Sequence, residues 1–128
     1  MPKKKPMSTA SRKAKGRNLQ YWVAGKVAEL FGLTFSYGDD LCPVKSRGMG
    51  QSGKDVYLTD SKLDELFPFD IECKNAEQAP VYSFIEQAKA NARAEDSWLV
   101  IHKKNRSKPI VIMDAEKFFE IYRKVFLK

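Results

Sequence analysis

Two neighbouring stretches of alternating apolar and polar side chains constrain the fold of this 128-residue chain more than any other feature. Residues 56–59 alternate with a period of two, and residues 69–74 do the same. This period is typical of strands that bury one face. Residues 60–64 between them are mostly polar. The sequence therefore predicts two strands that pair as an antiparallel hairpin.

Charged residues lie at one end of this predicted hairpin. Pairing the strands places Asp55, at the start of the first, beside Glu72, near the end of the second. Lys74 follows on the same face as Glu72 because strand side chains repeat every two residues. Two adjacent carboxylates repel unless a cation lies between them, and Mg²⁺ prefers carboxylate oxygens and water. The pattern predicts a divalent-metal site with a lysine beside it; the alternative is a solvated sheet face.

The residues around these positions resemble a known family. The segments 16–20, 52–56 and 69–75 are similar to the PD-(D/E)XK nuclease superfamily, and more narrowly to archaeal-type Holliday junction resolvases and their phage-encoded relatives. The resemblance runs from about Lys15 to Lys103. It implies an α/β, restriction-endonuclease-like fold, in which a mixed central β-sheet is flanked by α-helices.

The resemblance also implies roles for the residues of the hairpin. Asp55, Glu72 and the main-chain carbonyl of Cys73 are expected to hold Mg²⁺, with Mn²⁺ as a second candidate metal. Lys74 is expected to serve the nucleophilic water. Lys54 departs from the family pattern, because it stands where the superfamily name has proline.

Three further catalytic candidates come from the same resemblance. Gln20 falls where the resolvases have a glutamate in the first helix; its carbonyl can hold a water or a metal but brings no negative charge. Ser52 is the nearest match to a loop serine that contributes to cleavage, and Ser46 is the second. Gln87 matches a polar helix residue that reaches the lysine and the water in many relatives. Some relatives have a tyrosine four residues further on, where this chain has Asn91.

Positive charge is concentrated at the N-terminus. Residues 1–17 carry seven basic and no acidic side chains, and the whole chain also has a net charge of +7, so the rest is neutral overall. We therefore expect a flexible basic arm over residues 1–16 that lies along phosphates, followed by one nuclease domain over residues 17–128. The alternative is a tail that only aids solubility.

Several basic residues of the predicted domain are candidates for DNA contact. Some lie in a glycine-rich stretch whose main-chain amides are free to approach phosphates, and others lie in a loop between two predicted strands. The candidates are Arg17, Lys45, Arg47, Lys54, Lys103, Lys104 and Arg106.

Periodicity and capping signals predict the remaining elements. The first helix is expected to begin after Asn18, to end near Phe31 and to be closed by Gly32. Its buried face is predicted to hold Leu19, Trp22, Val23, Val27 and Leu30. We further expect a strand over 33–37, a long loop over 38–53, a helix from Pro80 through Ala94, two buried strands over 98–102 and 109–113, and a last helix capped by Asp114. That helix has more apolar residues than one stripe needs, so it either covers the sheet or presents a partner face.

These expectations combine into a functional hypothesis. The chain is predicted to be a Mg²⁺-dependent, structure-selective DNA endonuclease that resolves four-way junctions as a homodimer, because two symmetric cuts need two sites. The alternatives are a related phage or restriction-type nuclease acting on ends, flaps or specific sequences, and a non-catalytic DNA-binding protein. Cys42 and Cys73 match no zinc spacing and are expected to be free thiols. The sequence has no membrane-length apolar run, so we expect a cytoplasmic protein, in the host cytoplasm if phage-encoded.

Overall fold

A computed structural model describes residues 8–48, 51, 53–93 and 97–127. The elements in chain order are α1 (Thr9–Leu30), β1 (Val44–Ser46), β2 (Val56–Leu58), α2 (Ser61–Leu66), β3 (Phe69–Asn75), α3 (Val81–Asn91), β4 (Ser97–Lys103), β5 (Ile110–Ile112) and α4 (Ala115–Phe126). The strands form one sheet in the order β1-β2-β3-β4-β5. Strands β3 and β4 are parallel and the other pairs are antiparallel. The predicted α/β fold with a mixed central sheet is confirmed.

Helix α1 starts ten residues earlier than the sequence suggested. The side chain of Ser8 accepts a hydrogen bond of 3.1 Å from the amide of Ser11, so Ser8 is the N-cap and the predicted cap at Asn18 is wrong. Alanine and lysine residues within 10–15 favour a helix, and lack of acidic residues in this stretch obscured that preference. Residues 9–16 of the predicted flexible arm are therefore helical, while residues 1–7 lie outside the described residues.

The end of α1 agrees with the prediction. Gly32 has a φ of 70°, and its amide donates to the carbonyl of Glu29 at 3.1 Å. The amide of Leu33 donates to the carbonyl of Ala28 at 2.9 Å. These two bonds form a Schellman motif, which needs a residue in the left-handed region and so favours glycine.

The first strand of the sheet lies where a loop was expected. The predicted strand over 33–37 does not form; instead, β1 occupies residues 44–46 and pairs with β2. Phe35 and Tyr37 pack against Tyr21 of α1, with ring centroids 5.8 and 5.0 Å apart. Val44 supplies the buried side chain of β1. The alternation of apolar and polar residues in 33–37 therefore reflects aromatic packing on α1 and not a strand.

The sheet has a helix on each face. Helix α1 packs Leu19, Val23 and Val27 against a core that contains Ile71 of β3. On the other face, Phe84 and Ala88 of α3 pack against Val100 of β4. Trp22 and Leu30, which were predicted to be buried, are exposed. Strand β3 lies between the two helices, and this arrangement positions the candidate site.

The second half of the chain follows the predicted order with one correction. Asp114 caps α4 as expected, accepting from the amide of Lys117 at 3.0 Å. Strand β5, however, is an edge strand, so Ile110 and Val111 are more than half exposed rather than buried. Helix α3 ends at Asn91, before the predicted Ala94, which lies outside the described residues. Within the described ranges, no helix has the length and apolar character to span a membrane.

Candidate active site

The hairpin register places Asp55 beside β3. Its main-chain amide donates to the carbonyl of Ile71 at 2.9 Å, and its carbonyl accepts from the amide of Arg47 at 2.7 Å. Its side-chain Oδ2 accepts a hydrogen bond of 2.7 Å from the amide of Cys73. The main chain of Asp55 is thus fixed by β3 on one side and by Arg47, the residue after β1, on the other, and its carboxylate is held against β3 next to Glu72.

Glu72 and Lys74 project from β3 toward α3. Glu72 is buried, with 4% of its surface exposed. Its Oε2 accepts from Nδ2 of Asn91 at 3.2 Å, and its Oε1 lies 3.5 Å from Nζ of Lys74. Lys74 also donates to Oε1 of Gln87. Gln87 and Asn91 are four residues apart on one helix face, so α3 supports both polar residues of β3.

The electrostatics of the pair fit a divalent cation. Burial is the largest cause that raises the pKa of Asp55 to about 6, and the charge of Glu72 adds to the rise. The hydrogen bond from the amide of Cys73 and the charges of Lys74 and Arg47 act against it. A carboxylate with a raised pKa lacks sufficient positive charge around it. A cation bound between Asp55 and Glu72 would supply that charge.

The donor atoms available are oxygens. The described residues contain no group of three or more His, Cys, Asp or Glu side chains that could hold a metal ion. Burial and the charges of Asp55 and Glu72 raise the pKa of the Cys73 thiol, so this sulfur stays protonated and is a poor metal ligand. The set that remains is two carboxylates and the carbonyl of Cys73. Mg²⁺ is commonly bound by one or two carboxylates with several waters, so this set suits Mg²⁺.

Gln20 lies on the opposite side of the same cleft, in the middle of α1. It is 5% exposed, and its Oε1 accepts from the hydroxyl of Ser46 at 2.7 Å. A helix that began after Asn18 would place Gln20 and Arg17 at its start, where free main-chain amides favour phosphate. Because α1 begins at Thr9, that argument does not apply to either residue. Gln20 instead contributes a buried amide group to the wall of the site.

A cleft of about 400 Å³ connects these residues. Its lining residues are Gln20, Gly48, Gln51, Gly53, Asp55, Glu72, Cys73, Lys74, Gln87 and Asn91. A second cleft of about 230 Å³ shares Gln20 and Gly48 with the first and is also lined by Lys13, Arg17 and Arg47. The acidic pair therefore lies next to a basic surface.

Arg47 is held firmly at this basic surface. Its Nε donates to the carbonyl of Lys54 at 2.7 Å, and its guanidinium carbon lies 4.6 Å from the ring centroid of Tyr57. Gly53, with a φ of 106°, passes so close that an added Cβ would lie 3.0 Å from the guanidinium carbon. Glycine at position 53 thus allows the loop to approach Arg47 closely.

The side chain of Lys54 is paired with acidic side chains within the fold and does not lie open to DNA. Its Nζ lies 2.8 Å from Oδ1 of Asp70 and 3.6 Å from Oδ1 of Asp64, and its side chain is 14% exposed. Arg93 completes this network with two hydrogen bonds to Asp64 at 2.8 and 3.0 Å. We therefore leave Lys54 out of the proposed DNA surface.

The remaining basic candidates are spread over two other places. Lys45 donates to the carbonyl of Asp39 at 2.9 Å. Lys103 ends β4, in register with Asn75, and Lys104 and Arg106 follow in the turn before β5. Neither group lines the cleft of the acidic pair. The structure thus brings together Arg17 and Arg47 but not the other candidates.

Ser52 and His102 complete the account of residues that could take part in proton transfer or nucleophilic attack. Ser52 lies outside the described residues, so its role stays a prediction. His102 is buried, with Nε2 2.9 Å from the carbonyl of Ala76 and its ring 5.3 Å from that of Phe84. It therefore fills a core position.

Three residues that line the two clefts, Asn91, Gln51 and Lys13, are not among the individual residues that the sequence predicts for the site. Asn91 stands where some relatives of the resembling family have a tyrosine. Its spacing of four residues from Gln87 predicts that both side chains lie on the same helix face. Lys13 lies within residues 1–16, the stretch that the charge pattern predicts to be a flexible basic arm. Gln51 carried no signal beyond its position in the glycine-rich stretch.

Comparison with protein families gives a match over most of the chain. Residues 11–128 match the family described as Phage putative PDDEXK endonuclease. No curated protein and no solved structure shows a significant match to the chain.

Proposed function

Because this chain belongs to the phage PDDEXK endonuclease family, we propose that it is a Mg²⁺-dependent, structure-selective DNA endonuclease that resolves four-way junctions. The observation that carries the proposal is the gathering of Asp55, Glu72 and Lys74 in one cleft beside a basic surface. The cleft is open to solvent and can admit a DNA backbone. Membership of the family supports endonuclease activity. Selectivity for four-way junctions is the more specific part of the proposal.

Asp55, Glu72 and the carbonyl of Cys73 are the residues that would hold Mg²⁺. When bound, the metal lowers the pKa of a water and neutralises charge on the phosphodiester. Asn91 donates to Glu72, and the amide of Cys73 donates to Asp55, so each carboxylate keeps one oxygen fixed. Such preorganisation reduces the rearrangement needed when substrate arrives.

Lys74 is the residue that acts on the reacting groups. Glu72 and Gln87 hold its ammonium at the cleft wall. From there the ammonium can orient the attacking water and stabilise negative charge that develops on the phosphate. Gln20, on the opposite wall, can position a water through its amide. Lys74 therefore has the role of an electrostatic catalyst and Gln20 that of a positioning residue.

The proposed DNA surface begins at the basic cleft next to the acidic pair. Arg17 and Arg47 would contact phosphates on the strand that enters the site, and Lys13 extends this surface toward the N-terminus. Lys103, Lys104 and Arg106 would contact another arm of a branched substrate. The described residues include no helix-turn-helix, in agreement with recognition of the backbone and its shape rather than of base sequence.

Two copies of the chain are part of the proposal. One site cuts one strand, whereas resolution of a four-way junction needs two symmetric cuts, which a two-fold dimer supplies. The proposed place of action is the cytoplasm of the phage host.

The test compares three substrates in Mg²⁺: a four-way junction, a linear duplex of the same sequence and a flap. We expect paired symmetric nicks in the junction, little cutting of the duplex and none in EDTA. Equal cutting of junction and duplex would overturn junction selectivity and favour a general nuclease. Binding without metal-dependent cutting of any substrate would overturn the nuclease and favour a DNA-binding protein.

A further inference from the structure

A pocket of about 330 Å³ lies on the flank of α1 that faces away from the basic cleft. At about 100° per residue, positions 15, 18 and 22 of α1 lie on the opposite helical face from positions 13 and 17, which line the basic cleft. The pocket is therefore separate from the surface already proposed for phosphates. The polar and aromatic residues that line it are Lys15, Asn18, Trp22, Asn75, Lys103 and Asn105.

The charges around this pocket favour an anionic ligand. Lys15 and Lys103 both line it, and its lining residues in the described part of the chain include no acid. The ammonium of Lys15 donates to Oδ1 of Asn105 at 2.6 Å, and this neutral amide leaves the positive charge uncompensated. Glu77 accepts from the main-chain amide of Asn105 at 2.6 Å, but it does not line the pocket. The pocket thus presents two positive charges to an occupant.

Trp22 gives the pocket an aromatic wall. Helical periodicity predicts that Trp22 is buried, yet 46% of its surface is exposed. An exposed ring beside positive charge is the arrangement on which proteins stack unpaired bases.

Asparagine amides add hydrogen-bonding groups beside the ring. Nδ2 of Asn75 donates to the carbonyl of Lys15 at 3.2 Å, which holds this side chain in place. A side-chain amide has two donor hydrogens and an acceptor oxygen, so Asn75 keeps a donor and its carbonyl for a ligand. Asparagine amides form paired hydrogen bonds with the edge of a base, adenine above all.

We propose that this pocket binds one unpaired nucleotide of the DNA substrate. The base stacks on Trp22, asparagine amides bond its edge, and Lys15 and Lys103 contact its phosphates. A simple anion would need no ring, and an apolar ligand would need no charge. The volume agrees with a single small ligand, since pockets for such ligands measure about 300 Å³ and upward.

The pocket adjoins the catalytic cleft. Asn75 directly follows Lys74 in β3, and Leu19 directly precedes Gln20 in α1, so neighbouring residues line the two sites. Consecutive Cα atoms are about 3.8 Å apart, close to the rise of about 3.4 Å per nucleotide along one DNA strand. The unpaired nucleotide would therefore lie within a few nucleotides of the cut. This inference rests on the proposed function, because the cleft identifies the ligand as part of DNA.

The test compares two forms of one four-way junction in EDTA, so that binding is measured without cutting. The first form carries one extra, unpaired deoxyadenosine at the branch point. In the second form an abasic residue replaces it, which keeps the sugar and phosphate but removes the base. Wild-type chain should bind the first form at least about fivefold more tightly, as expected for one stacking contact.

Variants assign this preference to the pocket. Trp22→Ala should bind both forms equally, whereas Trp22→Phe keeps a ring and should retain most of the preference. Tyr82→Ala is the matched control, because Tyr82 is 83% exposed on α3 and should leave the preference unchanged. Equal binding of both forms by wild type would overturn the proposal, whatever the folding of the variants. A preference that survives in folded Trp22→Ala would overturn it too.

Free dAMP distinguishes a nucleotide of DNA from a free nucleotide. In competition with the first form of the junction, dAMP should act only at millimolar concentration, because it lacks the contacts of the rest of the DNA. Displacement at micromolar concentration would overturn DNA as the occupant and favour a free nucleotide.

Cleavage in Mg²⁺ separates this inference from the proposed function. If the base preference is found but no DNA is cut, the nuclease fails and the nucleotide pocket stands. If junctions are cut without any base preference in binding, the nuclease stands and the nucleotide pocket fails.

Discussion

The main-chain amide of Cys73 donates a hydrogen bond of 2.7 Å to Oδ2 of Asp55. Cys73 lies between Glu72 and Lys74 on β3, so this bond fixes the first carboxylate relative to the second and to the lysine. The bond belongs to no strand ladder, because its acceptor is a side chain. The geometry of the proposed metal site is thus built into the hairpin itself.

Removal of any one of Asp55, Glu72 or Lys74 should stop catalysis. We expect Asp55→Asn, Glu72→Gln and Lys74→Ala to slow cutting about a hundredfold or more, because each removes a charge aimed at the reacting groups. Junction binding, carried by other basic residues, should persist in a mobility-shift assay. Glu86→Gln and Lys62→Ala are matched controls at exposed positions outside the cleft and should keep full activity. Near-normal cutting by all three site variants would contradict the assignment of these residues to the catalytic site.

Asp55→Asn should also stabilise the metal-free protein at neutral pH. The folded-state pKa of Asp55 is about 6 and its ordinary value is 3.8, so between these pH values the folded state binds more protons than the unfolded state. Stability therefore falls as the pH rises through this window. At pH 7 the variant should gain at most about 3 kcal/mol, since one pKa unit corresponds to about 1.36 kcal/mol.

Urea denaturation in EDTA at several pH values measures this effect. The difference between wild type and Asp55→Asn should grow from pH 4 to pH 6 and then level off. Asp40→Asn is the control, because it makes the same substitution at an exposed position. A constant difference across the window would argue against the raised pKa as the cause.

Gln20→Ala should affect both stability and catalysis. The side chain is buried and accepts from Ser46, so the substitution leaves a donor in need of a partner, at a cost of about 1–3 kcal/mol. Cutting should slow and the Mg²⁺ concentration for half-maximal rate should rise. Ser46→Ala is the comparison, because it removes the hydrogen bond to Oε1 of Gln20 but keeps the amide group of Gln20. If Gln20→Ala lost stability with unchanged metal dependence, Gln20 would be only a structural residue.

Arg17 and Lys54 should behave differently despite their common charge. Arg17→Ala should reduce the slope of log affinity against log salt by about 1, as expected for one phosphate contact. Lys54→Ala should leave that slope nearly unchanged but destabilise the fold by up to about 3 kcal/mol, because it deprives buried Asp70 of a partner. Binding titrations over a salt series and urea denaturation give both quantities for each variant. The reverse pattern would mean that Lys54 leaves its network to contact DNA.

Deletion of residues 2–7 should weaken binding without changing its selectivity. It removes Lys3, Lys4 and Lys5, three of the seven charges in residues 1–17, and leaves the Ser8 cap of α1 intact. Junction and duplex binding should fall alike, with a flatter salt dependence. The cut position should stay the same. A selective loss of junction binding would show that these lysines recognise the shape of the junction.

The sequence predicted the parts of the fold that rest on local alternation. The hairpin of β2 and β3 and the proximity of Asp55, Glu72 and Lys74 follow from period-two patterning and strand pairing, and the structure has both. The start of α1 was missed because its first turns carry lysines and no acidic residues, a composition shared by helices and disordered tails. Charge alone could not reveal that Lys54 is directed to Asp70, since that partner is sixteen residues away and across the hairpin.

Arg47 connects the surface that meets the substrate with the residue that would hold the metal. Its main-chain amide donates to the carbonyl of Asp55, and its guanidinium donates to the carbonyl of Lys54, the preceding residue. A substitution that removes the guanidinium of Arg47 would therefore lower affinity for DNA and also remove the bond that holds Lys54, next to Asp55. Lys13 and Arg17 line the same basic cleft but lie on α1, so substitutions that alter charge there would change affinity for DNA without disturbing the catalytic hairpin.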